Sequence, residues 1–365
     1  MKKLALFLSF LMITALCAQN VNFNLIGAGA RAAGMGGAFI GVADDATAIV
    51  WNPAGLTLLE RPEASVVGRF VADAYEIDWA DETYEETQSH FVLNFLSGAI
   101  PLQLGSKKVV AALALQRQID LYSYSKYTDY WGDEIEAEGT GGVDTATLGG
   151  GIQILPFLYA GLAANFWFGK YEYTENYRAD YEYEESYTGL NFAFGGMIDL
   201  NGLQNPVPLK VGMIFRTPFD LDIEYEDDWE EDDVTLEMPS MLGFGASYRF
   251  GEFFTLAADY EMRYFSEVDF AFDMNQFRLG AEYLLVSDFA VIPLRMGYYT
   301  HPTFWSDENG DQIMGTGIGL GTGLIFESFA LDFSLSGNVT EIDYGNDLSE
   351  TITQAIITVS GIIYF

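Results

Sequence analysis

The stretch 254–264, Phe-Thr-Leu-Ala-Ala-Asp-Tyr-Glu-Met-Arg-Tyr, places Phe254, Leu256, Ala258, Tyr260, Met262 and Tyr264 at alternate positions. Thr255, Ala257, Asp259, Glu261 and Arg263 stand between them. Successive side chains of a β-strand point to opposite faces, so this segment offers one apolar face and one polar face. The next segment repeats it, with Phe277, Leu279, Ala281, Tyr283 and Leu285 set against Gln276, Arg278, Gly280 and Glu282. An apolar face suits lipid and a polar face suits a lumen.

Working outward, the same alternation predicts strands near 64–75, 88–100, 107–119, 141–155, 157–171, 186–200, 207–219, 238–250, 252–264, 274–286, 288–300, 313–326, 328–340 and 351–365. Their connections alternate in kind. Loops at 76–87, 120–139, 172–185, 220–237, 265–273, 301–312 and 341–350 carry most of the 53 acidic residues. The turns between them are tight, as at Leu155-Pro156-Phe157, Gly251-Glu252 and Glu327-Ser328. Long polar loops at one end and short turns at the other match an outer-membrane barrel. A strand in lipid satisfies its backbone only if the sheet closes. The predicted class is therefore all-β: a 14-stranded antiparallel transmembrane β-barrel over 64–365. A soluble β-sandwich shares part of the pattern, but not the alternation of loop types.

The start of the chain has a different character. Met1-Lys2-Lys3, the apolar run Leu4–Leu16 and Cys17-Ala18 have the form of a secretory signal peptide, predicted over 1–18. Leu16 before Cys17 is not the small residue that lipidation requires. Cleavage after Ala18 removes the only cysteine, and with it disulfide and thiol chemistry. A net charge of −36 repels nucleic-acid phosphate, so no nucleic-acid partner is expected.

Residues 19–63 do not alternate. They are rich in Gly and Ala, which allow close backbone approach. Asp44 is predicted to cap a short helix over Asp45–Trp51. Asn52-Pro53 then stops it, because the residue before proline disfavours the α region. A compact non-strand element ahead of a barrel belongs inside it, as a hatch.

Three motifs here, Gly34-Met35-Gly36-Gly37-Ala38, Ala43-Asp44-Asp45-Ala46-Thr47 and Asn52-Pro53-Ala54-Gly55, make the chain resemble the FadL-type outer-membrane transport family, including its PorV-like relatives. The prolines flanking the fourth outer loop, Pro218 and Pro239, agree with that pattern. The resemblance implies a hatch plugging a 14-stranded barrel. It also implies passage of long-chain fatty acids or other hydrophobic compounds or, in PorV-like members, partnership with a protein secretion system. Fatty-acid carriers of the family have a kinked third strand that opens the wall sideways. The third strand here, from Lys107 to Ile119, lacks the Gly or Pro such a kink would use. Gly149–Gly151 and Gly195-Gly196 are the expected bulge positions instead.

By alternation Arg216, Arg249, Arg263, Arg278 and Arg295 face the lumen. They could guide a carboxylate headgroup, or pair with Asp259, Glu261 and Glu282 and tie hatch to wall; pairing is the favoured reading. Arg31 in the hatch is expected to find Asp44, Asp45 or a wall carboxylate. The acidic runs 226–233 and 307–311 offer oxygen atoms to Ca²⁺ but lack EF-hand spacing, and read as solvated loops. His90 and His301 lie near different loops with no third zinc ligand. Neither a metal, a cofactor nor an enzymatic activity is expected. The terminal strand ends on Phe365, the aromatic ending that barrel assembly machinery reads. An even strand count returns the C-terminus to the periplasm and places the acidic loops outside the cell.

Overall fold

The computed structural model describes residues 27–365 apart from 80–81, 129–131, 178, 228, 230, 269, 308 and 346–347. The predicted leader, 1–18, and residues 19–26 of the predicted hatch lie outside the described residues. Seventeen strand segments form one antiparallel sheet, and three staves are each interrupted once, which leaves fourteen. In chain order they are β1 (Glu63–Trp79), β2 (Glu82–Leu104), β3 (Lys107–Asp120, resuming at Ser123–Thr128), β4 (Glu134–Leu155), β5 (Leu158–Tyr177), β6 (Ala179–Asp199) and β7 (Leu209–Arg216 and Phe219–Asp227). Then follow β8 (Glu231–Met238 and Met241–Phe250), β9 (Phe254–Arg263), β10 (Met274–Val286), β11 (Val291–Ser306), β12 (Gln312–Ile325), β13 (Phe329–Gly345) and β14 (Leu348–Tyr364). The first strand pairs with the last from Glu63↔Tyr364 to Trp79↔Leu348, so the sheet closes. Every strand connects to its sequence neighbour, the simplest barrel topology.

The alternation holds around the wall. One interstrand row runs Phe91, Phe70, Ile357, Leu335, Leu320 and Met296, all of them exposed on the outer face. Water would not tolerate so continuous an apolar surface on a monomer, whereas lipid requires it.

The acidic loops differ from expectation. Several are strand rather than loop: β2, β4 and β6 run 23, 22 and 21 residues, about twice what a membrane crossing needs. The cause lies in the alternation of Tyr with Glu. Tyr171, Tyr173, Tyr183 and Tyr187 pack with Leu221 on one face of the raised sheet, with Tyr173 stacked on Tyr183 at 5.0 Å. Glu172 and Glu184 occupy the opposite face, paired across strands and bridged by Lys170. Pro218 and Pro239 interrupt staves β7 and β8 rather than bounding a loop.

The bulges also lie elsewhere than at Gly149–Gly151 and Gly195-Gly196. Register shifts occur at Val67/Gly68, between Arg117 and Ile119, between Gln153 and Leu155, between Pro302 and Ser306, and between Asp343 and Gly345. The glycines expected to bulge have another task.

Candidate functional site

The lumen is filled by residues 27–59. Helix α1 (Ala30–Gly34) ends at Met35, and Gly36 and Gly37 follow at φ 64° and 77°, a region closed to most side chains. Helix α2 (Ala48–Trp51) and a 3₁₀ turn (Pro53–Leu58) complete the hatch, and Met35, Phe39, Ile40, Ile49 and Leu56 are almost fully buried in it. The predicted cap is corrected: Asp44 does not cap α2. Asp45 makes the local turn, its Oδ1 accepting the backbone N–H and the hydroxyl of Thr47. Asp44 instead faces cations, because Arg31 and Lys210 lie 2.6 and 3.5 Å away. Burial pushes the Asp44 carboxyl up, but those two cations outweigh it and hold it down at about 2. Burial also drives the Asp45 carboxyl above its ordinary value.

Asn52 stops α2 as predicted and does more. Its amide donates to the Ile40 carbonyl at 3.2 Å and the wall carbonyl of Gly196 at 3.1 Å. Its oxygen accepts the Ala54 N–H at 3.2 Å, so one neutral side chain joins hatch to hatch and hatch to wall. Pro53 opens the 3₁₀ turn that follows. Gly34 and Gly55 are positions of close approach: a Cβ on Gly34 would meet the Gly321 backbone at 2.9 Å, and one on Gly55 the Ala43 carbonyl.

Opposite the hatch, the wall presents glycine in adjacent strands. Gly151 pairs with Gly161 and Gly161 with Gly195; Gly212 pairs with Gly245; Gly280 pairs with Gly297 and Gly297 with Gly319. Each sits where hatch atoms, mostly backbone, press directly on the sheet. A Cβ on Gly161, Gly280 or Gly319 would lie 2.2 to 2.6 Å from an atom of Pro53, Met35 or Ala33. This belt was not foreseen in the sequence. Its signal is glycine recurring at lumen-facing positions of successive strands, which is legible only once the register is known.

The charged residues form networks. Arg31 grips both oxygens of Glu282 at 3.0 Å and Asp44 at 2.6 Å. Glu282 also holds Arg295 at 2.7 Å, and Arg295 reaches Asp332 at 2.5 Å. In the second network Glu261 joins Arg278 at 3.1 Å and Arg263 at 2.9 Å. Two candidates behave differently from their expected pairing. Asp259 caps the hatch backbone, accepting the N–H groups of Phe39 and Ile40 at 2.6 and 2.7 Å. Arg216 donates to the Val50 carbonyl at 2.6 Å. Arg249 does not join the cluster: it is exposed near the short-turn end of β8. Phe365 is 72% exposed at that same end, its N–H bonded to the Pro62 carbonyl.

The wall is irregular between β2 and β3, beside the hatch and inside the apolar belt. Strands β2 and β3 pair only from Leu104↔Lys107 to Phe95↔Gln116. Beyond it, among the described residues, no main-chain bond joins 82–94 to 117–128. On this stretch β3 carries the register shift at Gln118 and a break at Leu121-Tyr122. The expectation that β3 lacks a kink is thus corrected. The glycines that allow the irregularity, Gly141 and Gly142, stand on the opposing strand β4 at φ 114° and 149°. Arg117 fixes it by donating to the Gly141 carbonyl at 2.7 Å and to Asp144 at 2.8 Å. Phe91 and Leu93, on the lipid face beside the gap, are 70% and 56% exposed.

Removing residues 22–54 is expected to leave a closed barrel, since the ladder between β1 and β14 does not involve the hatch. Uptake of small polar antibiotics by cells carrying that deletion should rise. Unchanged uptake by a folded deletion protein would show that the segment does not occlude the lumen.

The fold is that of FadL-type outer-membrane channels. The toluene transporter TodX of Pseudomonas putida superposes with a TM-score of 0.68 at 13% identity, over 94% of this chain and 99% of the other. The toluene transporter TbuX of Ralstonia pickettii gives 0.59 at 16% identity over 94% and 100%. A FadL homologue of Pseudomonas aeruginosa gives 0.62 at 10% identity over 92% and 98%. A search of curated protein sequences finds no match. The family model for BamG matches residues 1–228, more than half of the sequence, and the chain belongs to the BamG family.

Proposed function

We propose that the protein is an outer-membrane channel for hydrophobic compounds, with long-chain fatty acid and toluene as the substrates to test. The gap between β2 and β3 carries this reading. A hatch packed backbone to backbone against the wall leaves little axial room, whereas an unzipped stretch within the apolar belt gives an apolar solute a route sideways into lipid. The solved channels that share the fold are named for toluene and other monoaromatic hydrocarbons. In this reading the acidic end faces the cell exterior, the C-terminus faces the periplasm, and Phe365 serves the assembly machinery. Uptake of radiolabelled oleate and toluene should fall when the gene is removed and return with it; equal uptake in both strains would exclude the channel.

A second reading, favoured by the raised sheet of β5–β8, is a partner of a protein secretion system. That sheet presents Glu172, Asp222, Glu224 and Glu231 to water around an aromatic core, a rigid surface suited to a basic protein. Co-purification of such a protein at the same yield from a strain with this acidic face neutralised would count against it.

A further inference from the structure

We infer that His90 and Asp120 form a latch that holds the β2–β3 seam shut, and that this contact must open before an apolar molecule crosses the wall. The inference rests on the lateral route proposed above and names what regulates it. A regular stretch of wall is held by a ladder of main-chain bonds, such as the twenty consecutive pairs between β5 and β6. A sheet held that way opens only if many bonds break together. At the seam three side-chain contacts replace the ladder. His90 Nε2 lies 2.7 Å from Asp120 Oδ2, the His90 ring stacks on Tyr122 at 4.3 Å, and the Tyr124 N–H is accepted by Gln88 Oε1 at 3.0 Å.

These contacts join two otherwise independent edges. His90 belongs to β2, which pairs with β1 from Glu82 to Ala99, with one register shift at Asn94. Asp120 ends the first segment of β3, just past the register shift and just before the strand is interrupted at Leu121-Tyr122. The edge bearing Asp120 and Tyr122 is tied to β4, through Asp120↔Gly142, the Leu121 N–H on the Gly141 carbonyl and the pairs from Ser123 onward. Each side of the seam thus has main-chain bonds to its outer neighbour but not across the seam. The other ring nitrogen of His90 is buried and has no hydrogen-bond partner among the described residues, so Asp120 alone fixes the ring by hydrogen bonding. Behind the latch lies a small cavity lined by Arg69, Val71, Val92, Asn94, Arg117 and Ile356. Phe91 and Leu93 face lipid on the other side. One side-chain hydrogen bond, one ring stack and the Tyr124–Gln88 bond thus close the seam between lipid and lumen.

The test uses the full chain in lipid vesicles, with Cys17→Ala and a single reporter, Val92→Cys, in the cavity behind the seam. N-(1-pyrenyl)maleimide, whose apolar ring system partitions into the lipid phase, should label that thiol slowly. His90→Ala and Asp120→Ala should each speed labelling by about tenfold or more, the factor expected from losing one hydrogen bond to a charged group. His90→Gln, which can still donate to Asp120, should change it by less than about threefold. A reporter at Ala163→Cys, behind the intact β5 ladder, should not respond. Should either alanine variant fail to give a folded band that shifts on SDS gels between unheated and boiled samples, Tyr122→Ala removes the stack alone and is read in the same way. Labelling at Val92→Cys that stays at the original rate in the folded variants overturns the latch. No solute is present, so a protein that transports nothing still reports whether its seam is latched.

Discussion

Gly161→Leu and Gly195→Leu should each lower the urea midpoint of the compact form that migrates faster in unheated samples on SDS gels, while Gly196→Leu leaves it unchanged. The three positions test the glycine belt directly, because Gly195 and Gly196 are chain neighbours on opposite faces of β6. A Cβ at Gly161 would lie 2.2 Å from the Pro53 carbonyl carbon and 2.3 Å from the Ala54 nitrogen, all backbone of the hatch. At Gly195 it would lie 2.3 Å from the Asn52 side-chain oxygen and 2.8 Å from the Ala54 nitrogen. At Gly196 nothing stands within 4 Å. Overpacking a filled interior costs about 1–3 kcal/mol where side chains can shift and more where they cannot. Backbone held by Asn52 on three bonds cannot shift, so the first two variants should lose more than about 3 kcal/mol in urea titrations. If all three variants keep the same midpoint, the hatch is loosely seated and the belt is not a contact surface. The same measurement gauges the polar side of the contact: an Asn52→Asp carboxylate could no longer donate to the Ile40 and Gly196 carbonyls.

The wall was legible in the sequence because lipid demands a period of two, and segments such as 254–264 and 276–285 obey it without exception. The alternation also assigned Asp259, Glu261, Arg278, Glu282 and Arg295 to the lumen, where they lie buried. Partner choice was not legible. Alternation fixes the face but not the level along the barrel, so Arg249 was grouped with arginines that sit far from it in the wall. The register places Arg249 opposite Thr255, near the short-turn end, while Arg278 pairs with Asp259. The acidic loops misled for a related reason. Glutamate weighs against a strand in propensity, but tyrosine at every second position supplies cross-strand packing that outweighs it. The β3 seam was hidden because the residues that permit it, Gly141 and Gly142, are on the neighbouring strand. The hatch motifs located Arg31, Asp44 and Asn52 correctly inside the barrel, yet the division of labour between Asp44 and Asp45 depends on Lys210, far away in sequence.

Glu282→Leu should destabilise the folded barrel by about 3–5 kcal/mol, the range for removing one partner from a buried ion pair. Glu282 stands on β10 directly across from Arg295 on β11, and the hatch inserts Arg31 onto the same carboxylate. Deleting it leaves two guanidinium groups facing one another, one of them fully buried, with Asp44, Asp45 and Asp332 as their remaining ion-pair partners. Arg31→Met in the same chain removes one of those stranded cations and should recover more than half of the loss, although it deletes a further interaction. That recovery separates a network from a sum of pairs, since independent pairs would lose more in the double variant than in either single one. Urea midpoints of the heat-modifiable form, compared at equal slope, read the effect. A loss below about 1 kcal/mol for Glu282→Leu would mean that water reaches this part of the lumen and solvates the arginines, as at surface pairs. In that case the hatch would be held by the glycine belt and Asn52 rather than by charge.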